Sequence, residues 1–129
     1  MIAVSGSGIA GLAAALAVLR NQKPLLLVAG RTPATTLQGG VQIAPNGWAA
    51  LDQLGLGDAA RARATALQAI TVRDMRSAAT LASLDLSASP YASLSRADLA
   101  SLLKAEISAL SGMADIAANI THVVQRGPD

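Results

Sequence analysis

The chain reads as an α/β fold organised on a parallel strand–helix–strand unit, and three observations predict it. Residues 2–4 are a short apolar strand that runs into Gly6-Ser7-Gly8-Ile9-Ala10-Gly11, a G-x-G-x-x-G loop. Beyond the loop, Ile9, Leu12, Leu16 and Leu19 recur at helical spacing while alanines fill the other faces, as in a helix buried against a sheet. After Arg20, Asn21 and Pro24 a second apolar run follows at residues 25–29, of the kind found in a strand covered on both faces. Two parallel strands need a long crossover, which this helix supplies, and the crossover is right-handed.

Each glycine of the loop has its own task in a Rossmann-like unit of this kind. Gly6 allows the tight turn out of the strand, Gly8 lets the backbone approach a pyrophosphate, and Gly11 permits close packing of the helix. The first backbone N–H groups of a helix have no partner within it, and the macrodipole adds partial positive charge there. A dinucleotide phosphate therefore binds residues 6–11 without a basic side chain. Residues 1–19 carry no charge, which also fits a signal peptide or a membrane span. Against both stand the absence of a basic leading segment, the early glycines and serines, and Arg20 and Lys23.

A dinucleotide unit of this type places an acid near the end of its second strand, about 20 residues past the loop, to accept from ribose hydroxyls. Here Ala29 and Gly30 occupy that end and Arg31 follows. The ribose contact then comes from backbone or from Thr32, Thr35 or Thr36. Arg31 is either a solvated loop residue or the partner of a 2′-phosphate, as in NADP sites.

Further on, Gly39-Gly40-Val41-Gln42-Ile43-Ala44-Pro45-Asn46 leads to Trp48, Leu51 and Leu54, with Gly55 after them. The spacing predicts a short helix over residues 47–54, N-capped by Asn46 and closed by Gly55. The paired glycines are either a flexible loop or a backbone flat enough to lie against a planar ligand. A helical turn is expected at residues 58–63. Strands at 69–72 and 80–86 form an antiparallel pair joined around Arg76-Ser77, which the alternation of Leu84 and Leu86 against Ser83 and Asp85 supports. Ser95-Arg96-Ala97-Asp98 resembles a capping box, and Leu99, Leu102, Leu103, Ile107 and Leu110 form the buried stripe of a long helix that stops at Ser111-Gly112. A third parallel strand at 114–117 and a further element at 120–124 complete the pattern.

Composition narrows the functions. The 129 residues are 52% hydrophobic, enough for one domain with one core, though Trp48 and Tyr91 are the only aromatics and the core must come from aliphatic residues and alanine. Ten basic and eight acidic residues, scattered singly, give a net charge of +2 and no basic stripe, which argues against nucleic-acid binding. The chain has no cysteine, so disulfides, thiol nucleophiles and Cys-ligated metals are excluded, and a reducing, cytoplasmic setting is expected. His122, the only histidine, cannot build a His-rich metal site.

In their order, these features resemble the N-terminal part of the flavin-dependent aromatic-ring monooxygenases, single-component hydroxylases similar to salicylate and p-hydroxybenzoate hydroxylase. The resemblance rests on residues 2–19, on residues 39–46 with Leu51 and Leu54-Gly55-Leu56, on Ile70-Thr71-Val72-Arg73-Asp74, and on Ser95-Arg96-Ala97-Asp98-Leu99 with Leu102-Leu103. It implies FAD as cofactor, NAD(P)H as co-substrate and a small aromatic substrate hydroxylated with O2, with no nucleic acid or membrane as partner. It also implies that Gly6, Ser7, Gly8, Ile9, Ala10 and Gly11 hold the FAD pyrophosphate and that Arg96, matching the family's R-x-x-L pattern, lies near the cofactor.

Two departures stand out. Gly30 takes the place of the family's glutamate, and the family's later Asp-Gly and Gly-Asp flavin motifs have no counterpart. The expectation is therefore a single, truncated FAD-binding domain over residues 1–129, incomplete at its C-terminus and inactive alone, with a parallel sheet and a small antiparallel strand pair. No side chain is assigned as acid, base or nucleophile. Ile120, Val123 and Val124 are expected to be exposed and to promote self-association. An NADP-binding module and a non-catalytic α/β domain without its ligand are the competing readings.

Overall fold

Strand β1 (Ile2–Ser5) and strand β2 (Leu25–Val28) pair in parallel, with Ile2 opposite Leu25 and Ser5 opposite Val28. Helix α1 (Ile9–Arg20) connects them. A computed structural model describes residues 1–28 and 38–111 of the chain. The chain divides into two compact units, the first of residues 1–37 and 103–129, the second of residues 38–102.

In the first unit the expected strand–helix–strand order is observed. α1 buries Leu12, Ala15 and Leu16, and Val28 is buried at the end of β2. Burying such a leucine contributes about 1.5–3 kcal/mol, so one narrow aliphatic stripe suffices to hold the helix. Asn21 caps the helix C-terminus, its side-chain amide donating to the Ala17 carbonyl at 2.8 Å, and Gln22 follows at φ 54. The amide of Ile2 donates to the Pro24 carbonyl at 2.8 Å, which fixes where the second strand begins. Ala29, Gly30, Arg31 and the segments at 114–117 and 120–124 lie outside the described residues.

The second unit is built on a three-stranded antiparallel sheet of β3 (Gly40–Ile43), β4 (Thr65–Ala66) and β7 (Ala92–Ser95), in the order β3-β7-β4. Sequence reasoning did not find these strands. They are short and rich in Gly, Ser and Ala, with too few large residues to show alternation. Helix α2 (Pro45–Gln53) begins two residues earlier than expected, and Ala44, not Asn46, is its N-cap. Proline has no N–H to leave unpaired and its fixed φ suits the first helical position, so Pro45 starts the helix.

The end of α2 is as read. Gly55 at φ 72 turns the chain, its amide donating to the Asp52 carbonyl at 2.9 Å while that of Leu56 donates to Leu51 at 2.8 Å. This is a Schellman motif, and the accompanying apolar pair is Leu51 and Leu56, both buried. Helix α3 (Gly57–Arg61) follows directly.

Strands β5 (Ala69–Arg73) and β6 (Thr80–Asp85) form the expected antiparallel pair, a separate two-stranded sheet. Its turn is locked by Asp74, whose Oδ1 accepts from the Ser77 amide and hydroxyl, each at 2.7 Å, and from the Arg76 amide at 3.1 Å. Of the two alternating leucines, Leu86 is buried and Leu84 is 57% exposed. Alternation marks one face of a strand without supplying anything to cover it, and a two-stranded sheet has little depth of its own.

Helix α4 (Arg96–Ser111) completes the described chain, with residues 96–102 grouped in the second unit and residues 103–111 in the first. Leu99, Leu102, Leu103 and Ile107 are buried as expected. Leu110, expected in the same stripe, is 45% exposed. Within the first unit, Arg20 of α1 and Glu106 of α4 form an ion pair at 2.5 Å.

Candidate functional site: the glycine loop and the start of the last helix

The turn from β1 into α1 brings Gly6, Ser7, Gly8, Ile9, Ala10 and Gly11 together. Gly6 donates its amide to the Val28 carbonyl at 2.8 Å and sits at φ 125, a region that only glycine occupies readily. Gly8 is the N-cap of α1, and the first helical hydrogen bond runs from the Leu12 amide to its carbonyl at 2.9 Å. Gly11 lies one turn in. A Cβ added there would run into the carbonyl oxygen of Gly6 and reach its carbonyl carbon at 2.8 Å. The third glycine thus lets α1 lie against the backbone of the loop itself, a closer approach than the helix–sheet packing expected of it.

Gly8 is different. A Cβ there would meet nothing within 4 Å, so the missing side chain leaves open space and not a filled contact. No side chain caps α1 and its first turn carries no acidic residue. Among the described residues no side-chain cap or first-turn acid offsets the N–H groups of that turn and the positive end of the helix dipole, an arrangement suited to an anion.

Arg96, in the second unit, is the first residue of α4. Two N–H groups at the start of this helix have acceptors in the chain: the Ser95 hydroxyl accepts from the Asp98 amide at 3.4 Å, as the capping-box reading expected, and the Gly39 carbonyl accepts from the Arg96 amide at 3.0 Å. Gly39 sits at φ 86, just before the ladder in which Gly40 opposes Ser95. Sequence reasoning read Gly39-Gly40 as either a flexible loop or a backbone against a planar ligand, and missed that it meets Ser95-Arg96. The signal was absent because β3 and β7 lie far apart in sequence.

Arg20, Arg61 and Arg63 are held in ion pairs with Glu106, Asp52 and Asp98. The exposed guanidinium of Arg96 has no such partner among the described residues. Gly30 and Arg31, the other candidates, lie outside the described residues.

A further polar cluster, unforeseen from sequence, joins α2 to α3. Arg61 donates to both carboxylate oxygens of Asp52, at 2.7 and 2.8 Å, and its guanidinium lies 5.0 Å from the centre of the buried Trp48 ring. The hydrogen bonds from Arg61 hold the Asp52 carboxyl below its ordinary range, and Asp52 in turn raises Arg61. A Cβ at Gly57 would strike this pair, coming within 2.7 Å of Arg61 Nη1. Through these two hydrogen bonds the cluster ties α2 to α3.

Among the described residues no group of three or more His, Cys, Asp and Glu side chains could hold a metal ion. No helix among them is long and apolar enough to cross a membrane.

No protein-family profile matches the chain. It is 40% identical over 105 residues to 3-amino-4-hydroxybenzoate 2-monooxygenase PtnB3 of Streptomyces platensis, a match covering 76% of this chain and 26% of that protein. It is 32% identical over 109 residues to 3-hydroxybenzoate 6-hydroxylase 1 of Aquipseudomonas alcaligenes, covering 79% and 28%. The chain thus spans about a quarter of the length of the curated relatives it matches. Among solved structures, the tetrameric form of 2-methyl-3-hydroxypyridine-5-carboxylic acid oxygenase matches with a TM-score of 0.73 at 22% identity, covering 84% of this chain and 29% of that one. Klebsiella pneumoniae HpxO complexed with FAD and uric acid matches at 0.62 and 25% identity, covering 78% and 27%.

Proposed function

Since the chain is a relative of the flavin-dependent aromatic-ring monooxygenases, we propose that it is an FAD-binding portion of such an enzyme, with a Rossmann-like β1–α1–β2 unit as the phosphate site. The observation that carries this reading is the N-terminus of α1. It is uncapped by any side chain, free of acidic residues in its first turn, and opens onto the space left by Gly8. Backbone N–H groups of residues 7–11 then receive the pyrophosphate, Gly6 supplies the turn, and Gly11 keeps the helix start tight against the loop. Arg96 is assigned to the same cofactor on the resemblance, and its exposed guanidinium, without an ion-pair partner among the described residues, is suited to a phosphate or carbonyl oxygen.

Bound FAD, reduced by NAD(P)H, would supply the oxygen chemistry. The part of this chain is to bind and orient the dinucleotide, and no side chain within the described residues is assigned to proton transfer. The substrate class is a hydroxylated aromatic acid, because the relatives' names specify hydroxybenzoates. Self-association through Ile120, Val123 and Val124 is part of this reading, and those residues lie outside the described residues.

The test is FAD titration of the purified chain, followed by flavin fluorescence, beside the Gly8→Val variant. A branched side chain at Gly8 has a Cβ that meets no protein atom within 4 Å but fills the phosphate position, so affinity should fall by about 100-fold or more with at most a small fall in melting temperature from the poorer N-cap. Equal affinity in the two proteins would remove the loop from the site. Tighter binding of NADP+ than of FAD would favour the NADP-module reading instead.

A further inference from the structure

The paired glycines at 39 and 40 have no part in the phosphate site, yet the structure places them against the start of α4. The Arg96 amide is among the N–H groups that α4 cannot satisfy internally, and its acceptor is the Gly39 carbonyl at 3.0 Å. That bond adds a rung to the β3–β7 ladder, beyond the Gly40–Ser95 pair. Gly39 reaches this position at φ 86, where an L side chain is strained, although a Cβ there would meet nothing within 4 Å. The demand for glycine at 39 is therefore conformational and not steric. Gly40 is restricted in another way, since its Cβ would come within 3.0 Å of Ser93 Oγ.

We propose that Gly39 is a positioning residue for Arg96: its left-handed backbone presents the carbonyl that anchors the first residue of α4 and so fixes the point from which the Arg96 guanidinium reaches the cofactor. This rests on the reading of Arg96 as a cofactor contact. A side chain at 39 drives the backbone out of positive φ, turns the carbonyl away and frees the Arg96 amide. The ladder from Gly40 onward keeps its own hydrogen bonds, so the sheet survives while the arginine loses its fixed origin.

The experiment is a double-mutant cycle on FAD affinity with the full chain, read by flavin fluorescence, with circular dichroism and thermal melting recorded for every variant. Arg96→Ala should weaken FAD binding about tenfold, the scale of one charge-assisted hydrogen bond. Gly39→Ala should weaken it by about threefold to tenfold in the parent chain and by less than about twofold in the Arg96→Ala background, because a role exercised through Arg96 vanishes with it. Gly39→Asn, which tolerates positive φ, should retain more affinity than Gly39→Ala and serves where the alanine variant does not fold. Equal losses from Gly39→Ala in both backgrounds would overturn the positioning role and leave Arg96 as a contact. An unchanged affinity in Arg96→Ala would overturn the role of both residues while the phosphate loop stands. A parent chain that binds no FAD would overturn the functional reading itself.

Discussion

Gly8 and Gly57 stand at the starts of two helices and meet opposite surroundings. At Gly8 a methyl group would enter empty space, the helix has no side-chain cap, and no acid lies in the first turn. At Gly57 a methyl group would strike Asp52 and Arg61, which are bound to each other while Arg61 also covers Trp48. One glycine faces open space beside a helix start with no side-chain cap; the other makes room for the chain's own side chains. The contrast teaches that a glycine before a helix carries no fixed meaning, and that the unused polar groups around it decide between ligand and brace.

The comparison can be broken at several points. The largest expected effect is on the closed side: Trp48→Ala removes a buried ring and should cost about 3–5 kcal/mol in stability, measured by urea unfolding. A loss below 1 kcal/mol would mean that the brace carries little of the second unit. On the open side, Gly11→Val forces a branched side chain onto the Gly6 carbonyl, which is backbone and yields poorly. It should cost about 1–3 kcal/mol and weaken FAD binding together with stability, unlike Gly8→Val. Loss of binding without loss of stability would place Gly11 in direct contact with the ligand.

Gly57→Ala is gentler, because the atoms in its way are ends of flexible exposed side chains that can swing outward. A shift of a few degrees at most in the melting temperature is expected, and a larger one would make the ion pair more than a surface bridge.

The smallest effect is with pH. Asp52 is held below its ordinary value when folded, so its contribution is present above the unfolded pKa and lost as pH falls through the folded one. The difference in melting temperature between wild type and Asp52→Asn should be flat from neutral pH to about pH 5 and should shrink below about pH 4. A difference that grows with acidity would reverse the assigned sign.

What could be read from sequence was what is local. β1, α1 and β2 announced themselves through one apolar period each. The β5–β6 pair followed from alternation around Arg76-Ser77, and the end of α2 from Gly55. The β3–β7–β4 sheet stayed hidden because Gly40, Ser93 and Ser95 carry no large side chain to mark a face, and its partners are remote in sequence. The start of α2 was misplaced because Asn46 is a good capping residue in itself, while Pro45 just before it prefers to be inside the helix. Leu84 and Leu110 carried the right period and are exposed, so period alone does not say what covers a residue. The loop residues 6–11 were legible for the same reason as α1, being contiguous; the bond between Gly39 and Arg96 was not, being made by two segments that the sequence gives no cause to pair.

That long-range ladder also dictates an order of events as the chain is made. The β5–β6 hairpin closes on itself and can form in about 1–10 μs once its residues are free, within the very segment that separates β3 from β7. β3 has no such freedom, because Ile43 must wait for Ala92 and Gly40 for Ser95. At about 5–20 residues per second of synthesis, the wait for these roughly fifty residues is on the order of 3–10 s. Throughout that interval Gly40, Val41, Gln42 and Ile43 have no β7 to join, and the rung from Gly39 to Arg96 is the last of the ladder to become available.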